Sequence, residues 1–206
     1  MQHSPINRGL GTALACVTLV VAAQALGATK KWNSTSGTIW QNASLWVPTG
    51  VPGSGDDVLF DNTVESSIDQ AIRLNNDFTI NSLNFDFPTQ THTFELRADN
   101  GGNNRTLKLE SGEINRNDNG GMVWIGAKAS SSGIMTLETD ASSFQIDVDP
   151  GNTMRLEAVV SGAGKGLTKT GNGGVRMYGS QANTYTGLTT HSQGSLQLWK
   201  DDNVTS

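Results

Sequence analysis

Few residues in this chain have the type and spacing to do chemistry. Asp56 and Asp57 follow a Gly53-Ser54-Gly55 loop, and clustered carboxylates are what general acid–base cleavage of a polysaccharide requires. Neighbours on a strand point to opposite faces, so these two cannot act on one atom. Asp147 and Asp149 alternate, which puts both on one strand face ahead of the turn Pro150-Gly151-Asn152. That spacing suggests a calcium loop but lacks its later bidentate glutamate, and the glycine-rich nonapeptide of calcium-binding β-rolls is missing too. It reads as a solvated strand end. Of the histidines, His3 lies in an apolar leader, His92 lies between two threonines, and His191 has no Asp or Cys near it in sequence. Gly162–Gly166 and Gly171–Gly174 lack the strand–loop–helix setting and the Lys-Ser/Thr of a phosphate cradle, so they are turns. The expectation is no catalytic residue, no cofactor and no metal.

Trp32, Trp40 and Trp46 fall within fifteen residues of a chain that has only five tryptophans. Exposed, three indoles would make a sugar-stacking platform. Buried, they would form a hydrophobic cap over the first rung of a stacked fold, where an open face and edge must be blunted. The cap is the preferred reading, and Trp32, Trp40 and Trp46 remain the candidate glycan-stacking residues.

Residues 1–28 read as a secretory signal peptide. Arg8 precedes the apolar run Leu10 to Leu26, and small residues follow, with cleavage expected after Ala25 or after Ala28. A run of about 17 apolar residues is at the short limit for a membrane span. Cys16, the sole cysteine, lies inside that run. The mature chain therefore carries no disulfide, no cysteine metal site and no membrane span. Arg8 is the only charged residue of the leader, so its removal takes the net charge from −5 to −6. An acidic chain without a basic run is a poor phosphate binder, which excludes nucleic acid as the expected partner.

The remaining elements are short strands. With 24 Gly, 18 Asn and only 16% charged residues, the chain has small corner residues and uncharged side chains that can line up between stacked strands. Apolar pairs recur at strand period: Ile72/Leu74, Phe94/Leu96, Leu107/Leu109, Phe144/Ile146/Val148, Met154/Leu156. Asn/Gly-rich turns separate them every 8–12 residues or so, and no helical pattern intervenes. The spacing predicts an all-β solenoid of roughly seven to nine rungs with about 20–25 residues in each, about 35–45 Å long at the strand spacing of a sheet. Within 163–198, the residues expected to face inward are Leu167, Val175, Met177, Leu196 and Leu198. Arg176 and Tyr178 face outward, and His191 stands where an aliphatic is expected.

That segment contains GLTKTGNGG (166–174), ANTYTG (182–187), TT (189–190) and GSLQL (194–198). It resembles the passenger-associated β-strand repeat of bacterial autotransporters. The Trp-rich opening followed by Pro52-Gly53 and Asp56-Asp57-Val58 resembles the start of large bacterial proteins that carry the same repeat. The resemblance implies a right-handed parallel β-helix (β-solenoid), displayed at or beyond the outer membrane, and implies no catalytic activity. The domain reading is a signal peptide at 1–28, a Trp/Pro/Gly-rich cap module at 29–60 and a β-helix at 61–206.

Two functions follow as expectations. The first is a non-enzymatic, secreted or surface-displayed passenger segment, an adhesin-like scaffold whose partners are extracellular polysaccharide or other cell-surface components. The alternative is a carbohydrate-active or carbohydrate-binding β-helix protein. No translocating barrel follows the repeat before Ser206, so the expectation is either a fragment of a longer reading frame or a chain whose mechanism the family name overstates. Its last rung would be open to edge-to-edge self-association.

Overall fold

The computed structural model describes residues 27–36, 38–61, 70–87, 93–99, 101–117, 121–126 and 133–200. Past a short opening, the chain coils through six rungs. The first rung is β3 (Asp57–Asp61), β4 (Gln70–Leu74) and β5 (Phe78–Ile80). The second is β6 (Ser82–Asp86), β7 (Thr93–Ala98) and β8 (Arg105–Leu109), and the third is β9 (Glu113–Arg116), β10 (Met122–Ile125) and β11 (Met135–Thr139). The fourth is β12 (Ser143–Val148), β13 (Thr153–Leu156) and β14 (Val159–Val160). Two strands make each of the last rungs: β15 (Gly166–Thr170) with β16 (Gly174–Gly179), and β17 (Thr189–His191) with β18 (Ser195–Lys200).

Each strand pairs in parallel with its counterpart one rung away, which generates three sheets of eight, six and four strands. This is a parallel β-solenoid. The expected seven to nine rungs give way to six because the corner loops are uneven. Asn84 and Asn115, which are stacked partners, are 31 residues apart, whereas Gly164 and Thr186 are only 22 apart. A rung of nearly constant length fits only the C-terminal part.

Register turns the period-2 pattern into apolar columns. Ile72, Leu96, Ile125, Leu156 and Met177 stack in one, and Phe94, Val123, Met154 and Val175 in another. All nine side chains are buried in a single core. The columns extend in register to Leu198 and Leu196, yet Leu196 is half-buried and Leu198 is 54% exposed. The expected inward position is met by Leu167, Val175 and Met177 but not by Leu198, because no described strand lies over β18.

At the other end, β1 (Thr29–Trp32) runs parallel beneath β3 and antiparallel to β2 (Trp46–Val47). Trp32, Trp40 and Trp46 are fully buried, with ring centroids of Trp32–Trp46 and Trp40–Trp46 at 4.9 and 4.8 Å. Phe60 continues the cluster toward Phe85 and Phe94 at 5.6 and 4.7 Å. The indole of Trp46 donates to the Trp40 carbonyl at 2.8 Å, so its one polar atom is satisfied in the dark of the core. A two-residue antiparallel strand at the end of the long sheet gives little edge for further pairing.

Candidate functional site

The outer face of the six-stranded sheet carries the side chains best placed to meet a ligand. Strands β10, β13, β16 and β18 bring Trp124, Arg155, Arg176 and Gln197 into one outward column, with Tyr178 beside Trp199 in the next. The Arg155 guanidinium lies 4.3 Å from the Trp124 ring centroid and 5.0 Å from that of Tyr178. Arg176 lies 5.4 Å from Trp199, and Tyr178 meets Trp199 edge-on at 5.4 Å. Period 2 explains the pattern: each apolar residue that fills the core forces its neighbour outward, so Val123 and Ile125 place Trp124 on the surface.

Arg155 and Arg176 are directly opposite on adjacent strands, an arrangement that costs energy between like charges. The flanking rings offset part of that cost through cation–π attraction. Arg73 and Arg97 form a second in-register arginine pair on the same sheet. Arg97 is joined to Glu95 at 3.5 Å and Arg73 donates to the Thr38 hydroxyl at 2.7 Å. Four of the seven arginines of an acidic chain thus stand on one sheet. Among the described residues neither Arg155 nor Arg176 forms an ion pair, and Arg155 Nε is buried without a hydrogen-bond partner.

The residues singled out in the sequence are placed elsewhere. Trp32, Trp40 and Trp46 are core, so none of them can stack on a sugar, and the glycan-stacking reading of that cluster is corrected. Asp56 accepts from the Gly53 and Ala28 amides at 3.0 and 2.9 Å. Asp57 accepts from Asn81 Nδ2 and Ser82 Oγ at 2.8 and 2.5 Å. Both carboxylates fasten turns. Asp147 accepts from the Thr170 hydroxyl at 2.9 Å, one rung on. Among the described residues, no group of three His, Cys, Asp or Glu side chains is placed to hold a metal. His191 is exposed, its Nε2 3.1 Å from the Gly194 carbonyl oxygen. His3 and His92 lie outside the described residues, as does the signal peptide apart from Gly27 and Ala28.

Two cations sit inside the solenoid. Arg116 is fully buried and donates to the carbonyls of Thr153 and Gly121. Lys169, in the column of Ile146, is equally buried and donates to the carbonyls of Thr170, Gly171 and Gln193. Burial holds its ammonium below the ordinary value of 10.5, with Asp147 acting in the opposite direction. Position in the period marks Lys169 as inward, but only the stacked turns show which oxygens receive it.

The surface ladder was legible in part. Arg176 and Tyr178 read as outward, while Trp124, Arg155 and Trp199 are brought beside them only by rung register. Set against protein-family models, characterised proteins and solved structures, the chain matches none of them. Fold and surface together define a parallel β-solenoid protein with an aromatic N-terminal cap and an arginine–aromatic face.

Proposed function

We propose that this chain is a non-enzymatic, secreted β-helical scaffold segment, adhesin-like and displayed at or beyond the outer membrane of a Gram-negative-type cell. The observation that carries the reading is one apolar core running through the first five rungs, with half-buried Leu196 of the sixth packed against it, while the carboxylates considered for catalysis or calcium fasten turns and neighbouring strands. A rung is held mainly by its neighbours, so such a chain can order itself sequentially as it emerges from a membrane. The autotransporter-repeat resemblance at 163–198 and the apolar leader support the location. Among the described residues no helix is long and apolar enough to cross a membrane.

Fractionation of the producing cell tests it, combined with protease treatment of intact cells. The chain is expected in the medium or on the protease-accessible surface. Retention in the cytoplasm, or release of reducing ends when purified protein is incubated with polysaccharides, would overturn the reading. A second reading, a carbohydrate-binding β-helix, is favoured by one observation: the Arg155–Trp124–Tyr178 and Arg176–Trp199 contacts on the outer sheet face.

A further inference from the structure

We propose that the outer face of the six-stranded sheet binds an acidic polysaccharide, one bearing carboxylates in the manner of a uronic-acid polymer, through Arg155 and Arg176. This deepens the carbohydrate-binding reading and rests on it.

The arrangement is unusual in a way that calls for an anion. Two arginines stand in directly opposed positions of neighbouring strands, whose backbones lie about 4.8 Å apart, and their like charges repel. A stabilising choice at either position would be Thr or a carboxylate. Instead both are retained, and aromatic rings hold their planes: Arg155 lies against Trp124 and Tyr178, Arg176 against Trp199. Ring contact orients the flat face of a guanidinium and leaves its N–H fork at the edge. That fork is the group that takes a carboxylate through two parallel hydrogen bonds. Neither arginine has a carboxylate partner among the described residues. The nearby Glu95 is already paired with Arg97.

The choice of sugar over other polyanions comes from two features. Trp199 is 53% exposed, so an apolar ring surface lies beside the second arginine to receive a pyranose C–H face. The chain as a whole carries a net charge of −5. That charge opposes a phosphate-dense strand over its full length, while a polymer with one carboxylate per sugar meets two local cations.

Affinity electrophoresis of the full chain in gels containing polygalacturonate tests the assignment, with dextran as the neutral polymer and single-stranded DNA as the phosphate polymer. Polygalacturonate is expected to retard the chain, less so as sodium chloride is raised, and dextran is not. The double variant Arg155→Gln/Arg176→Gln should weaken binding by roughly tenfold or more, the loss of one to two charge-assisted hydrogen bonds. Arg176→Lys keeps the charge without the fork and should weaken it several-fold, which guards against a double variant that fails to fold. Lys108→Gln, on the four-stranded sheet, should change nothing. Equal retardation by dextran would overturn the acidic class and leave carbohydrate binding standing. No retardation by either polysaccharide would remove both. Equal, arginine-dependent retardation by DNA would show an unselective polyanion surface and overturn the proposal. So would unchanged affinity in a folded double variant.

Discussion

Trp40 shows what a single residue contributes at the capped end. Fully buried between Trp46 and Phe78, it closes the base of the core, so Trp40→Ala should cost about 3–5 kcal/mol. Denaturant melts would read that loss, and an unchanged midpoint would mean that the cap is dispensable. Lys169 raises a different question, because its charge is buried. Its folded pKa is lowered, so between that value and 10.5 the unfolded chain binds more protons than the folded one. Stability should therefore rise with pH across that window. The penalty on the charged form is present in full below it. Lys169→Met removes the titrating group and with it this rise, while leaving the carbonyls of Thr170, Gly171 and Gln193 without their donor. The variant should lose about 1–3 kcal/mol at neutral pH, and its urea midpoint should be flatter than the parent's toward alkaline pH.

At the scale of the element, corners and the last rung decide behaviour. Gly171 adopts φ +71°, and a Cβ there would approach the Val148 carbonyl oxygen to 2.4 Å. Gly171→Ala meets both the left-handed backbone penalty and a main-chain clash, so a loss of at least about 1–2 kcal/mol is expected. Circular-dichroism melts against Thr136→Ala, on a half-buried strand position, would separate this from a generic side-chain effect. The terminal strand behaves differently. β18 pairs only with β16 among the described strands, and Leu188, Leu198 and Trp199 are 79%, 54% and 53% exposed. In a preparation of residues 26–206 the amides of 182–198 should exchange fastest, and the chain should self-associate through this edge. Leu198→Lys should shift sedimentation toward monomer. Uniform protection up to Lys200 in a monomeric chain would show the edge to be covered.

Across the whole molecule, the solenoid begins earlier than the first strand. A Cβ on Gly27 would overlap the Gly55 carbonyl oxygen at 1.5 Å, and Ala28 exchanges hydrogen bonds with Asp56 and Asp57. If the leader is removed as proposed, cutting after Ala28 would discard residues that the fold uses. Cutting after Ala25 would keep them. Edman sequencing of secreted protein should read Leu26-Gly27-Ala28, and a start at Thr29 would show that the Gly27–Gly55 approach is not needed.

Alternating residues such as Ile72/Leu74 and Met154/Leu156, punctuated by Asn and Gly, were enough to fix short strands, one buried face and an all-β solenoid. Strand period depends on backbone geometry alone, so it survives in a single sequence. The buried tryptophan cap was legible as one of two alternatives, since spacing clusters indoles without saying which side of the chain they face. Rung number was not legible, because loop lengths vary while register does not. Only tertiary register brought Trp124 to Arg155 and Arg155 to Arg176, residues separated by whole turns of chain. It also drew Lys169 over the turn carbonyls of the next rung. A surface made by stacking has no local signature: its neighbours are chosen by hydrogen-bonded strands, and those are set by the core beneath.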